Sequence, residues 1–171
     1  MAKKTNGRNK PAIYPGTFDP ITKGHISLVQ RAGSLFDHLI VAVSKNAGKN
    51  PMFSWKQRYE MARDSLAGMP KVEVIQFDGL LAELAKDLKA KVIIRGLRAV
   101  SDFEFEFQMA LMNRKMAREV ETVFLMPSLS WVYLSSTIVK DVAFNGGDIS
   151  TLVPSPVLTA IEKKIRHGKR K

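Results

Sequence analysis

Apolar residues follow two spacings along the chain, and each spacing predicts a different kind of element. Continuous apolar runs predict five strands, at 12–14, 39–43, 72–77, 92–94 and 122–126. Apolar residues at helical spacing predict a helix after each strand and one more near the end, at 26–36, 55–67, 80–88, 102–117, 135–144 and 157–165. Strands that are apolar throughout and connected by helices are typical of βαβ units. The chain is therefore predicted to be an α/β protein, with a five-stranded parallel sheet and helices on both faces.

Turn and cap residues set the expected ends of these elements. Pro15 and Gly16 are expected to end the first strand. A long polar turn follows, and His25 falls in the first turn of the next helix, where unpaired N–H groups suit phosphate. Two further helix starts have the spacing of a capping box, Ser54 with Gln57 and Ser101 with Glu104.

The composition indicates an ordinary globular protein. The 171 residues are 45% apolar and 25% charged, which suits one domain with its own core. Cysteine is absent, which excludes disulfides and thiolate chemistry. No apolar run reaches the roughly 20 residues of a membrane span. The basic residues near the start are not followed by an apolar segment, so we do not expect a secretory signal. We therefore expect a cytoplasmic protein.

The net charge of +11 is concentrated at the two ends of the chain. Residues 1–10 hold four Lys and Arg without an acid, and residues 163–171 hold six. The chain is therefore predicted to have a basic N-terminal tail (1–10), a single nearly neutral domain (11–162) and a basic C-terminal tail (163–171). A nucleic-acid binding module that works through these tails is the alternative from a different class.

Polar side chains follow the ends of four predicted strands, where open parallel sheets bind their ligands. They are hydrogen-bond donors, with neither a metal cluster nor a Ser-His-Asp set, and the chain lacks the common glycine-rich phosphate motifs. Donors without a nucleophile favour phosphoryl or nucleotidyl transfer. Each residue also has a structural interpretation: His25 as a helix cap, Arg95 and Arg98 as partners of Asp102 or Glu104, Ser135 as an N-cap, and Trp131 and Tyr133 as core.

The predicted helix 102–117 has two apolar faces. Such a helix lies either deep inside a monomer or at a contact between subunits. A homo-oligomer is predicted, with burial in a monomer as the alternative. Glu106 lies between these faces and should have a partner, such as a ligand group.

Several blocks together resemble the bacterial phosphopantetheine adenylyltransferases of the nucleotidyltransferase superfamily. The resemblance covers about residues 11–160 and rests on 14–25, Lys49 with 51–53, 94–100, 102–106 and 134–137. The superfamily pattern H-x-G-H has Thr22 at its first position, as in this family. The pattern I-S-S-T-x-x-R has Leu134 and Lys140 at its ends, which leaves open how Lys140 meets the ATP phosphates.

This resemblance implies a Rossmann-like fold and a reaction in which ATP and 4′-phosphopantetheine give dephospho-coenzyme A and pyrophosphate. Mg²⁺ would be bound mainly through the ATP phosphates, without protein ligands. The acceptor phosphate would attack the α-phosphorus in line, with no covalent enzyme intermediate. The family also implies a homohexamer, a dimer of trimers. A related enzyme that acts on nicotinamide mononucleotide, or with CTP on glycerol phosphate, is the nearer alternative.

The resemblance also implies roles for individual residues. His25 would hold the α-phosphate and stabilise the transition state, and Thr17 would contact both substrates. The residues implied for phosphopantetheine are Thr17, Lys49, Leu81 and Arg95. The residues implied for ATP are Thr17, Phe18, His25, Gly96, Leu97, Arg98, Glu106, Trp131, Val132, Tyr133, Leu134, Ser135, Ser136 and Thr137.

Overall fold

The computed structural model describes residues 10–46, 48 and 50–168. Strands and helices alternate through the first five pairs and a final helix follows. The strands are β1 (Ala12–Gly16), β2 (Leu39–Ser44), β3 (Val72–Phe77), β4 (Val92–Gly96) and β5 (Glu121–Leu125). The helices are α1 (Lys23–Leu35), α2 (Trp55–Leu66), α3 (Leu81–Asp87), α4 (Val100–Met116), α5 (Ser136–Phe144) and α6 (Ser155–Gly168). A short 3₁₀ helix, Leu129–Trp131, precedes α5.

The five strands form one parallel sheet in the order β3-β2-β1-β4-β5. The chain starts in the middle, builds outward to β3, and then returns to the other side of β1. The strand order therefore reverses between β1 and β4, which is where such sheets bind ligands. The prediction of a parallel α/β sheet is confirmed.

Alternate residues of the central strands enter two separate cores. Tyr14 and Val41 belong to the core under α1, α2, α5 and α6, whereas Ile13 and Ile40 belong to the core under α3 and α4. Each fully buried side chain of this size contributes roughly 1.5–3 kcal/mol. The continuous apolar runs arise because each strand is covered by helices on both faces.

The neighbouring strands β1 and β4 separate at their carboxyl ends. β1 pairs with β4 only through Ala12 and Ile13, although β1 pairs with β2 as far as Gly16. The expectation that Pro15 ends β1 is therefore wrong. Pro15 lies in the strand where the β4 side is open, so its missing N–H breaks no ladder bond with β4. The separation leaves a gap in the sheet at the point where its strand order reverses.

Helix starts agree with the sequence at α2 and differ at α4. Ser54 and Gln57 form the predicted capping box, with Gln57 N donating to Ser54 Oγ (3.3 Å) and Ser54 N donating to Gln57 Oε1 (3.0 Å). The capping box predicted for Ser101 and Glu104 is wrong, because α4 begins at Val100 after Ala99, which provides no side-chain cap. Asp102 in the first turn instead lies at the positive end of the helix dipole.

The last helix runs further than the sequence predicts. α6 continues to Gly168, so part of the predicted C-terminal tail is helical, whereas residues 1–9 and 169–171 lie outside the described part. Across residues 10–46, 48 and 50–168, no helix is long and apolar enough to cross a membrane.

Candidate active site

A cavity of about 490 Å³ lies at the gap between the carboxyl ends of β1 and β4. Its wall comes from the β1–α1 turn, the start of α1, the end of β4, one face of α4 and the segment that opens α5. The lining residues are Tyr14, Pro15, Gly16, Thr17, Phe18, Asp19, Gly24, His25, Leu28, Arg95, Gly96, Arg98, Asp102, Phe105, Glu106, Pro127, Trp131, Leu134, Ser135, Ser136, Thr137 and Lys140.

His25 is both a helix cap and a cavity residue. Its backbone N–H donates to Thr22 Oγ1 (3.4 Å), and its Nδ1 accepts a hydrogen bond from the backbone N–H of Thr22 (3.0 Å). Because Nδ1 is an acceptor, we place the ring proton on Nε2. Burial, together with the positive charge of Arg98, lowers the pKa of His25 to about 4. The imidazole is therefore a neutral hydrogen-bond donor at physiological pH.

The low pKa of His25 makes stability depend on pH. The unfolded chain binds a proton at His25 below about pH 6.5, whereas the folded protein does so only near pH 4. The unfolded state therefore holds more protons in this window, so stability falls as the pH is lowered from 6.5 to 4, by about 2–3 kcal/mol. Urea unfolding at a series of pH values between 4 and 6.5 measures this change in unfolding free energy.

A second histidine provides the control for this pH dependence. His38 is exposed and contacts Glu73. His38→Gln should keep the slope between pH 4 and 6.5, and His25→Gln should remove it. An unchanged slope in His25→Gln would show that another group causes the loss.

Phe18 is held by close packing against the strand before it. Its backbone lies in the left-handed region (φ 48°), and its ring is edge-on to Tyr14 and His25. A Cβ on Gly16 would lie 2.7 Å from Cζ of Phe18. The ring position therefore requires glycine at residue 16.

Gly16→Ala should displace the Phe18 ring and with it the His25 edge of the cavity. We expect a loss of roughly 1–3 kcal/mol in unfolding free energy, because overpacking forces neighbouring groups to move. Gly33→Ala is the matched control, since nothing lies within 4 Å of its Cβ position and alanine favours the helix. Equal melting temperatures for the two variants would contradict this prediction.

Arg95 and Glu106 form a two-bond ion pair across the cavity wall. Arg95 Nε donates to Oε2 (2.7 Å) and Nη2 to Oε1 (2.5 Å), and Nη1 donates to the carbonyl of Pro15 (3.0 Å). Burial alone would lower the pKa of Arg95, but its hydrogen bonds and charge interaction with Glu106 raise it. The partner expected for Glu106 is thus Arg95. The Pro15 contact spans the gap between β1 and β4.

Two other cations at the cavity are also paired with carboxylates. Arg98 contacts Asp102 (3.2 Å), as one interpretation of the sequence expected, and Lys140 contacts Asp19 (2.9 Å). With Arg95 and Glu106, the charged groups of the described cavity wall therefore balance one to one. Both arginines keep N–H groups that these contacts do not use.

The start of α5 faces the same cavity. Ser135 is the N-cap, and its Oγ accepts a hydrogen bond from the backbone N–H of Ile138 (3.1 Å). Ser136 Oγ donates to the carbonyl of Pro20 (2.7 Å), which ties α5 to the β1–α1 turn. The structural interpretation of Ser135 as an N-cap is confirmed, and the helix start that it caps lies at the cavity, where a helix N-terminus suits an anion.

Most of the residues implied by the resemblance meet at this cavity, and some do not. Leu81 is half-buried against the core under α3 and α4, away from the cavity wall. Leu97 is also outside the cavity lining, and its backbone N–H donates to the carbonyl of Leu125 (3.1 Å). The side chains of Val132 and Tyr133 are exposed because the 3₁₀ helix turns them outward. Tyr133 is therefore not a core residue. Lys49 lies outside the described residues. Those at the cavity are Thr17, Phe18, His25, Arg95, Gly96, Arg98, Glu106, Trp131, Leu134, Ser135, Ser136 and Thr137.

Sequence reasoning missed two buried charged residues near the cavity. Asp19 is 6% exposed and Arg58 is 1% exposed. Asp19 directly precedes Pro20, and because Asp before Pro is typical of a turn, its position gives no local sign of burial. Arg58 could have been found, because it lies three and four residues before Met61 and Ala62 on the buried face of α2.

Comparisons with known proteins identify the family. Residues 13–142 match the cytidylyltransferase-like family. The phosphopantetheine adenylyltransferase of Oleidesulfovibrio alaskensis is 54% identical over 155 residues, which cover 91% of each chain. That of Methylococcus capsulatus is 52% identical and is covered to 96% of its length. The chain belongs to the phosphopantetheine adenylyltransferases.

The fold also resembles that of a solved structure. A Vibrio parahaemolyticus structure, assigned to the nicotinate-nucleotide adenylyltransferases, matches it with a TM-score of 0.70. The match covers 90% of this chain and 98% of the other at 18% identity. It confirms the Rossmann-like nucleotidyltransferase fold and carries no information on the acceptor.

Proposed function

We propose that the protein transfers the adenylyl group of ATP to 4′-phosphopantetheine and releases dephospho-coenzyme A and pyrophosphate, a step of coenzyme A biosynthesis. The observation that carries the proposal is the convergence of His25, Arg95, Arg98 and the start of α5 on one cavity. These groups are donors and cations, which fit a substrate with several phosphates. Relatives that share more than half of the residues and bear this enzyme name support the choice of acceptor.

The chemistry needs no protein nucleophile. An oxygen of the acceptor phosphate forms a bond to the α-phosphorus of ATP, while the bond from that phosphorus to the bridging oxygen breaks and pyrophosphate leaves with the electron pair. Negative charge is redistributed over the α-phosphoryl oxygens, and Nε2–H of neutral His25 is the donor suited to stabilise it. Holding both substrates in line supplies much of the remaining rate enhancement.

The two phosphate groups are proposed to lie on different walls. Arg95 and Lys49 would hold the acceptor phosphate, and Arg98 with the α5 start would hold the β- and γ-phosphates. Trp131 and Leu134 would contact the adenine. Mg²⁺ would neutralise the triphosphate and be bound mainly through it. In the described part of the chain, no group of three or more His, Asp or Glu side chains could hold a metal ion.

A homohexamer, a dimer of trimers, is part of this proposal. Both apolar faces of α4 are exposed in the single chain, one with Phe103 (47%) and Leu111 (53%) and the other with Phe105 (63%), so the single chain does not bury this helix. The monomer alternative predicted deep burial and is therefore wrong for these residues. Exposed apolar groups in this number are typical of protein contacts. Light scattering after size exclusion measures the mass, and a monomer would reject the assembly.

Incubation with ATP, Mg²⁺ and 4′-phosphopantetheine, followed by detection of pyrophosphate, tests the proposed function directly. Parallel reactions with nicotinamide mononucleotide, and with CTP and glycerol phosphate, test the related enzymes on this fold. We expect pyrophosphate only with 4′-phosphopantetheine. Turnover with another acceptor alone would reject the substrate, and no turnover would reject the reaction.

The basic tails allow a separate test of the nucleic-acid alternative. DNA binding of the full chain should be weak, salt-dependent and lost when residues 1–10 and 163–171 are removed. Binding that survives this removal would show that the body of the protein has its own nucleic-acid surface. The cytoplasmic location stays part of the proposal, and cell fractionation tests it.

A further inference from the structure

The carboxylate of Asp19 ties the β1–α1 turn to two other segments, the end of the loop between β2 and α2 and the helix α5. Its Oδ1 accepts a hydrogen bond from the backbone N–H of Phe53 (2.9 Å), and its Oδ2 accepts one from the backbone N–H of Met52 (2.9 Å). Oδ2 also accepts a hydrogen bond from Nζ of Lys140 (2.9 Å). The side chain is nearly inaccessible. Its oxygens are therefore occupied by protein donors rather than available to a ligand.

Arg58 strengthens the tie on the α2 side. It lies beneath the turn and donates to the carbonyl of Thr17 (2.5 Å), and also to the carbonyls of Ser44, Lys45 and Phe53. The guanidinium thus joins the start of the turn to both ends of the loop that follows β2. Along the sequence, the segment between β2 and α2 includes Lys49, which the proposed function assigns to the acceptor.

The second wall is α5. Lys140 lies one helical turn after Ser136, whose hydroxyl donates to the carbonyl of Pro20 (2.7 Å). Asp19 therefore contacts α5 through Lys140 and contacts the end of the β2–α2 loop through two backbone N–H groups. Under the proposed function, these are the triphosphate side and the acceptor side of the site.

We propose that Asp19 is a positioning residue that sets the separation between the acceptor wall and the triphosphate wall. The inference rests on the proposed function and deepens it. In-line transfer depends steeply on the distance between the attacking oxygen and the α-phosphorus, and a displacement of about 1 Å can cost about 10²-fold in rate. A carboxylate bonded to both walls resists such a displacement without contacting either substrate.

Asp19→Asn tests the proposal with little change of shape. The amide can accept hydrogen bonds through one atom only, and its NH₂ group must face either a backbone N–H or the Lys140 ammonium, which are all donors. In either orientation of the amide, one backbone N–H of the β2–α2 loop loses its acceptor and the negative charge opposite Lys140 is removed, so the tie between the two walls is weakened. We expect kcat to fall by about 10²-fold, with less than about a 5-fold change in KM for either substrate. A kcat within about 3-fold of wild type, or a loss confined to KM, would overturn the proposal.

A double-mutant cycle separates the two walls. If the bridge through Asp19 sets the separation, Lys140→Gln already breaks it, so Asp19→Asn should lower kcat much less in the Lys140→Gln background than in the wild type. Fully additive losses would show that the contacts of Asp19 to Lys140 and to the loop act independently. That result would overturn the coupling of the two walls.

General loosening of the fold requires its own control. Val120→Ala removes buried methyl groups from the core under α3 and α4, remote from the cavity lining. It should lower the melting temperature while leaving kcat unchanged at 25 °C. A similar fall in kcat for this variant would mean that the Asp19→Asn effect is one of stability, and would overturn the positioning role.

Hydrogen exchange of the wild type tests the coupling without any variant. A non-hydrolysable ATP analogue bound at α5 should slow exchange of the Met52 and Phe53 amides, because Lys140 and both amides share one carboxylate. Unchanged exchange at saturating analogue would overturn the coupling even if Asp19→Asn does not fold. An inactive wild type would reject the proposed function, whereas an active wild type with an equally active Asp19→Asn would reject only this inference.

Discussion

His25→Ala should lower kcat by about 10²–10³-fold, the usual effect of removing one preorganised donor from a developing negative charge. The imidazole is neutral, its Nδ1 is occupied by Thr22, and Nε2–H is the donor left for a phosphoryl oxygen. Because Nδ1 also caps α1, the variant should lose about 1 kcal/mol of unfolding free energy. Pyrophosphate release under saturating substrates measures kcat, and urea unfolding measures the stability.

The two effects of His25→Ala can be told apart. A variant that restores a donor, His25→Gln, should recover part of kcat, whereas a purely structural role would give equal kcat for the alanine and glutamine variants at equal stability. The destabilised Val120→Ala protein provides the comparison at lowered stability with an intact site. Wild-type turnover in His25→Ala would remove this residue from the mechanism.

Arg95→Ala should weaken binding of 4′-phosphopantetheine by more than about 10²-fold and affect ATP much less. The effect is large because the substitution removes a cation and also leaves Glu106, which is 13% exposed, without its partner. A carboxylate in that position repels an incoming phosphate, and breaking a buried pair typically costs 3–5 kcal/mol. Calorimetric titration with each substrate separately measures the two affinities.

Removing the orphaned carboxylate provides the decisive comparison for Arg95. Arg95→Ala combined with Glu106→Gln should bind 4′-phosphopantetheine more tightly than Arg95→Ala alone. Lys71→Gln removes a cation paired with Asp37 before β3, at the opposite end of the sheet, and should leave both affinities unchanged. Equal losses for ATP and 4′-phosphopantetheine in Arg95→Ala would reject the assignment of Arg95 to the acceptor.

The sequence predicts β2 to within one residue because burial on both faces produces a continuous apolar run. The edge strand Val72–Phe77 is confirmed at both ends, although the exposed Glu73 and Gln76 interrupt its apolar residues. The region of the cavity is also predictable, because the polar residues that follow β1, β4 and β5 must gather at one edge of a parallel sheet. Local patterns of this kind involve only neighbours along the chain.

Contacts between distant segments are not predictable from these patterns. Arg95 and Glu106 could each be assigned a ligand, but their pairing requires the crossing of β4 and α4. The Asp19 carboxylate meets residues 33 and 121 positions away. The extension of β1 through Pro15 depends on whether β4 lies beside it, which the sequence of β1 alone does not reveal.

The early separation of β1 from β4 means that a ligand at this cavity would occupy a break inside the sheet rather than a surface beside it. Substrate would thus act as a temporary part of the framework, in contact with both strands where their backbones are no longer paired. Heat-induced melting of the saturated protein should consequently involve the whole sheet at once. The empty protein should open first along this seam.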